Sequence, residues 1–188
     1  MVKELAKRAM TTDGQKACLV IDHLVEALAG DPSSSLRRAA ILADIDQHPG
    51  TTQTDIMERL GIHKSAMNRE IEWLFNYGCV MVQDSAKDAR TKALQVCGYS
   101  KKGLDSALVY FEGDHQKLKN FLSLYTKVLR QEKPTLRDAK ILAYLYNKKV
   151  ASKSEVLNNL YEVPTTSDHR AFNEILTAGV VKGIQDAA

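Results

Sequence analysis

The stretch TTQTDIMERLGIHKSAMNREIEWL, residues 51–74, reads as two short helices joined by a turn at Leu60-Gly61. Thr51 or Thr52 is placed to cap the first helix. In the second, Met67, Ile71 and Leu74 recur at helical spacing and form one apolar stripe. Together with Ile56, Leu60 and Ile62 they supply an internal face. His63, Lys64, Ser65, Asn68 and Arg69 crowd the opening turn of the second helix and face away from that stripe. Two readings fit this pattern. One is a solvated face of an ordinary helical bundle. The other is a helix-turn-helix, whose first helix braces the second so that its N-terminal residues meet base edges in a major groove. Arg pairs bidentately with guanine and Asn with adenine, while Lys and Ser serve bases or phosphates. Thr52 and Gln53 open the first helix, where free backbone amides favour a phosphate.

The flanking sequence weighs on that choice. Gly78 stops the second helix, CVMVQ (79–83) reads as a strand, DSAKDAR (84–90) as a polar loop and TKALQVC (91–97) as a returning strand. A β-hairpin directly after a helix-turn-helix is a wing. Its tip carries Lys87 and Arg90 beside Asp84 and Asp88, and Lys92 opens the returning strand. An Arg on such a tip suits a narrow minor groove; the other reading is a tip charged for solubility. Upstream, residues 3–29 read as helix with a break at Asp13-Gly14, and GDPSSS (30–35) stops the chain and restarts it with a Ser cap. A helix follows through LRRAAILADID and ends at HPG. From residue 101 to about 131 the pattern is helical, broken near Gly113 and closed by Pro134. The fold class is mostly α with a small β-hairpin wing.

The chain has 188 residues and a formal net charge of +3, which by itself decides nothing. Its distribution is more informative: residues 59–102 hold eight Lys and Arg against four Asp and Glu, whereas residues 134–188 hold seven against six. The positive field sits on the helix-turn-helix and wing, as a nucleic-acid footprint would. Cys18, Cys79 and Cys97 are odd in number and lack a C-x-x-C pair, so a disulfide framework or zinc knuckle is not expected and a reducing cytoplasm is. Cys79 and Cys97 alternate with apolar strand residues and are expected in the core. No apolar run is long enough to span a bilayer, and MVKELAKRAM is too charged for a signal peptide. There is no Gly-rich phosphate loop, no nucleophile elbow and no metal-ligand spacing among His23, His48, His63, His115 and His169. No catalytic residue, cofactor or metal is therefore assigned, and the chain is not expected to be an enzyme.

The C-terminal third repeats the middle. LRDAKILAYLYNKKVASKSEVLNNL (136–160) lies over LRRAAILADIDQHPGTTQTDIMERL (36–60) at a constant offset of 100. With one inserted residue, Arg69 then meets Arg170, Ile71 meets Phe172 and Gly78 meets Gly179. Residues 134–188 are expected to form a second helix-turn-helix-like unit. Its core should comprise Ile141, Leu142, Leu145, Val156, Leu157, Leu160, Phe172, Ile175 and Leu176. It ends too soon for a full wing, and Asp168 in its reading stretch would repel phosphate. The unit is expected to be an accessory or protein-contacting copy that adds little to DNA affinity.

The first unit resembles the MarR/SlyA family of bacterial winged-helix regulators. The shared pattern falls on Gln53, Ile56, Leu60, Gly61, Ile62, Lys64, Ser65, Arg69, Gly78, Asp88 and Arg90. The resemblance covers residues 1–132 and implies a winged unit at 36–98, with flanking helices 3–29 and 101–132 joining two copies as a homodimer. Taken with the residue readings above, the chain is expected to be a cytoplasmic, sequence-specific regulator of transcription, a repressor, bound to double-stranded DNA through Thr52, Gln53, His63, Lys64, Ser65, Asn68, Arg69, Lys87, Arg90 and Lys92. Three features depart from the pattern: LQVCGYSKKG is about three residues longer than the family's run after the wing, His63 replaces a capping Ser, and residues 134–188 exceed the family's length. Some relatives carry a peroxide-sensing thiol in the first helix; beside Leu19 and Val20, Cys18 reads instead as a small buried hydrophobe. The alternative to a regulator is a tandem winged-helix protein of plasmid or phage replication and maintenance, or a protein-interaction module of the transcription machinery.

Overall fold

The computed structural model describes residues 13–84 and 92–183. Expectations for residues 3–12 and for the hairpin tip, including Lys87, Asp88 and Arg90, lie outside the described residues. Helix α1 runs Asp13–Ala27. The Ser35 hydroxyl accepts from the Arg38 amide and starts α2, Leu36–Gln47. Thr52, not Thr51, caps α3, Gln53–Leu60. It does so in a reciprocal box: the Asp55 amide donates to its hydroxyl, and its own amide donates to the Asp55 carboxylate. Gly61 closes α3 in the left-handed region at φ 62°, a conformation that costs glycine little. Helix α4, Lys64–Asn76, follows.

The hairpin strands are β2, Val80–Asp84, and β3, Lys92–Val96. Sequence reasoning missed a third strand: Thr51–Thr52 forms β1 and pairs antiparallel with β3, giving the order β1-β3-β2. Two residues carry no readable alternation, so only the fold could reveal this strand. It pins the start of α3 to the wing. Cys79 is buried as expected; Cys97 is only half-buried, because it lies beyond β3 at the start of the next helix.

Helix α5, Gly98–Leu108, begins three residues earlier than expected, a turn of 3₁₀ helix at Val109–Phe111 makes the break, and α6 spans His115–Leu129. The C-terminal third folds into α7, Leu136–Lys148, α8, Lys153–Leu160, and α9, Thr166–Thr177. Ile141, Val156, Leu157, Phe172 and Ile175 are buried, and Leu142, Leu145 and Leu160 pack against them half-buried. Leu176 is a correction. It is exposed, because one residue past inward-facing Ile175 is about 100° further round the helix.

Helix α1 packs against α5 and α7, and α6 packs against α2. Gly103 of α5 allows the first contact: a Cβ there would stand 2.7 Å from the Ala27 nitrogen. Ile21, Leu24, Leu118 and Leu122 are all buried within the single chain. Much of the apolar surface on these helices is thus covered from within, while Leu19, Leu124 and Val128 stay exposed, and one core cluster runs from α1 to α9.

Candidate nucleic-acid interface

Helix α4 is held from behind and free in front. Met67 and Leu74 are buried. The Arg38 Nε donates to the Glu70 carboxylate at 2.9 Å, the Ser35 hydroxyl donates to the same carboxylate at 3.3 Å, and the Arg38 guanidinium lies 3.8 Å above the Trp73 ring. This latch fixes the middle of α4 on the start of α2. On the outward side His63, Lys64, Ser65, Asn68 and Arg69 are all exposed. His63 occupies the cap position and makes no capping hydrogen bond, so its ring is not engaged there.

The expected contacts at the start of α3 are placed differently from one another. The Thr52 hydroxyl is spent on the cap, donating to Asp55 at 2.8 Å. The Gln53 side-chain amide donates to the Asn68 carbonyl oxygen, which ties the start of α3 to the outward face of α4. Lys92 is exposed on β3. Gln53 and Asn68 are thus brought together across the helix pair, while Arg69 lines a cleft between α2, α4 and α6.

Behind this surface stands a buried carboxylate. Asp44 of α2 accepts from Arg59 Nη2 at 2.6 Å and Nε at 3.0 Å, and from Lys119 Nζ at 3.1 Å. Arg59 also donates to the Thr51 hydroxyl at 2.6 Å. One acid therefore joins α2 to the end of α3, to β1 and to α6. Asp46, on the same helix, accepts from Lys101 at 3.0 Å and contacts His115 Nε2 at 2.7 Å, tying α2 to α5 and α6.

A cleft of about 980 Å³ opens between α2, the N-terminal end of α4 and α6. Arg37, Arg59, Arg69, Lys119, Lys127 and Lys133 line it against two acids, Glu70 and Glu132. The α6 cations were missed in the sequence because that segment was assigned to dimerisation. A local count would have found them: residues 115–133 hold five Lys and Arg against one Glu. The positive surface therefore continues from the helix-turn-helix along α6.

Cys18 sits half-buried on α1 with its thiol directed at the Lys140 carbonyl oxygen, 3.8 Å away. Burial pushes its pKa up to about 11, against a smaller opposing pull from Lys140. The thiolate is the reactive form, so the shift lowers its population at pH 8 by about a hundredfold relative to an ordinary thiol. Alkylation of Cys18 by iodoacetamide at pH 8, followed by peptide mass spectrometry, is expected to be at least tenfold slower in the folded protein than in urea. Equal rates would contradict the burial argument. Among the described residues no group of three or more His, Cys, Asp or Glu could hold a metal ion, and no helix is long and apolar enough to cross a membrane.

Residues 35–92 match the model of the MarR family. Two solved structures are similar at 18% identity. One, the crystal structure of MarR, aligns with a TM-score of 0.39 over 60% of this chain and 88% of that one. The other, the crystal structure of the transcriptional regulator SlyA, aligns with a TM-score of 0.35 over 57% of this chain and 68% of that one. No curated protein matches the chain.

Proposed function

We infer that the MarR-family domain at residues 35–92 makes this protein a DNA-binding transcriptional regulator that reads duplex DNA through the outward face of α4. The observation that carries the reading is the asymmetry of that helix inside the matched region. Its inward side is clamped by Met67, Leu74 and the Arg38–Glu70 latch, while Lys64, Ser65, Asn68 and Arg69 stand exposed beside a cationic cleft. A rigid back and a polar front are what placement in a major groove requires. In this reading the wing, with Lys87, Arg90 and Lys92, enters the minor groove, and the start of α3 at Thr52 and Gln53 faces the phosphate backbone. The protein is a cytoplasmic repressor rather than an enzyme: a bound reader blocks access to a promoter without further chemistry. Two readers related by a two-fold axis would serve half-sites about one helical turn apart.

Arg69→Ala is expected to cost about 1–3 kcal/mol of affinity at a duplex selected by the protein from a random pool, and to relax base choice there. Lys87→Ala is expected to weaken selected and random duplexes alike, with a shallower salt dependence. Fluorescence anisotropy at two salt concentrations separates the two effects. Unchanged affinity in both variants would remove the groove assignment.

A further inference from the structure

The same chain carries a second set of helices that corresponds to the first. At an offset of 101, α6 falls on α1: the inward positions Ile21, Leu24 and Leu28 correspond to Leu122, Tyr125 and Leu129, and both helices are followed by a residue of positive φ, Ala29 at 57° and Arg130 at 53°. After a loop one residue shorter, α7 falls on α2 and α8 on α3, with Thr135 and Ser152 capping where Ser35 and Thr52 do. After a turn one residue longer, α9 falls on α4. The duplicated unit is therefore four helices long, not three.

The two copies meet on a local two-fold axis. The Leu36 amide donates to the Pro134 carbonyl and the Leu136 amide donates to the Ser34 carbonyl, both at 2.9 Å, around an antiparallel bridge between Ser35 and Thr135. Ser35 thus pairs with its own counterpart Thr135, while residue 36 bonds the counterpart of 34 and residue 34 bonds the counterpart of 36, the reciprocity a two-fold axis requires. Packing obeys the same symmetry: the first helix of each copy lies on the second helix of the other, α1 on α7 and α6 on α2. The cleft beside the first copy has its counterpart too, between α7, α1 and Leu160 where the first uses α2, α6 and Leu60.

The charge objection to the second reader falls away. Asp168 is buried, caps α9 through Thr165, and makes a 2.8 Å ion pair with Arg137. Its charge is turned inward and neutralised. The outward positions are His169 and Arg170, counterparts of Asn68 and Arg69, and the Arg170 side chain is 80% exposed. Its only described ion pair, with Glu174, is a surface i,i+4 contact that a phosphate or base edge readily displaces.

We propose that α8 and α9 form a second DNA-reading unit, and that one chain, through its internal two-fold axis, binds one pseudo-palindromic duplex with unlike half-sites. This rests on the DNA-binding reading of the first unit. It places inside one chain the pairing that the family resemblance implies between two. The half-sites are unlike because the outward residues differ, Asn68-Arg69 in one and His169-Arg170 in the other.

The test selects duplexes from a random pool with the full-length chain, then measures the mass of the complex by light scattering and repeats the selection with Arg69→Ala and Arg170→Ala. Both residues are exposed, and circular dichroism verifies that each variant is folded. The proposal expects one chain per duplex. It also expects each variant to lose roughly 5- to 150-fold in affinity and to flatten base preference in one half of the site only, a different half for each. Two chains per duplex, or an Arg170→Ala variant indistinguishable from the parent while Arg69→Ala is impaired, would overturn it and leave the first reader standing. If neither substitution changes selection, the reading of the first unit fails and this proposal with it.

Discussion

Replacing Asp44 with alanine is expected to destabilise the protein by about 3–5 kcal/mol, toward the lower end of that range. The carboxylate is fully buried and holds two cations, Arg59 and Lys119. Removing it leaves Lys119, whose side chain is only 12% exposed, without its counter-charge in a site it cannot easily leave. Arg59 is about a third exposed and retains the Thr51 hydroxyl, so it relaxes into water at smaller cost. Urea unfolding is the measurement: the midpoint should fall with the slope unchanged. A loss below about 1 kcal/mol would mean that the cations reorganise freely and that Asp44 does not join the reader to the helical layer.

Phe172→Ala should cost about 3–5 kcal/mol as well. The ring is 8% exposed, packs into the core and has the Lys153 ammonium 5.8 Å from its centroid. Because α7 packs on α1, the C-terminal helices share their core with the first unit. The loss should therefore appear as a shift of one cooperative transition, not as the early melting of a separate domain. Two resolved transitions, with only the first displaced, would show that residues 134–188 fold independently of the rest.

These two side chains mark where reading the sequence succeeds and where it stops. Phe172 was placed in the core because the repeat sets it opposite apolar Ile71. The outward face of α4 follows from its apolar spacing, since Met67, Ile71 and Leu74 select an inward side and leave His63, Lys64, Ser65, Asn68 and Arg69 outward. Asp44 was passed over as one polar residue in an amphipathic helix. Nothing near it announces a hub, because its partners are 15 and 75 residues away. Asp168 was misjudged for the same reason. Its cap on Thr165 is local, but the Arg137 that neutralises it lies 31 positions upstream in another helix.

By itself the sequence determined the helices, a Ser cap before α2, a Thr cap at 51 or 52 before α3, the Gly61 turn and the hairpin strands. All of these follow from interactions that reach only three or four residues along the chain, or from the two-residue period of a strand. The tertiary structure decided what covers each apolar face. An amphipathic stripe on α1 or α6 states that it must be buried, and it fits a second molecule as well as another part of the same chain. Only the assembled fold, with the Leu36 amide donating to Pro134 and the Leu136 amide to Ser34 across a local two-fold axis, puts α1 on α7 and α6 on α2. Burial of apolar area is non-directional, so the pattern that demands a partner does not name it.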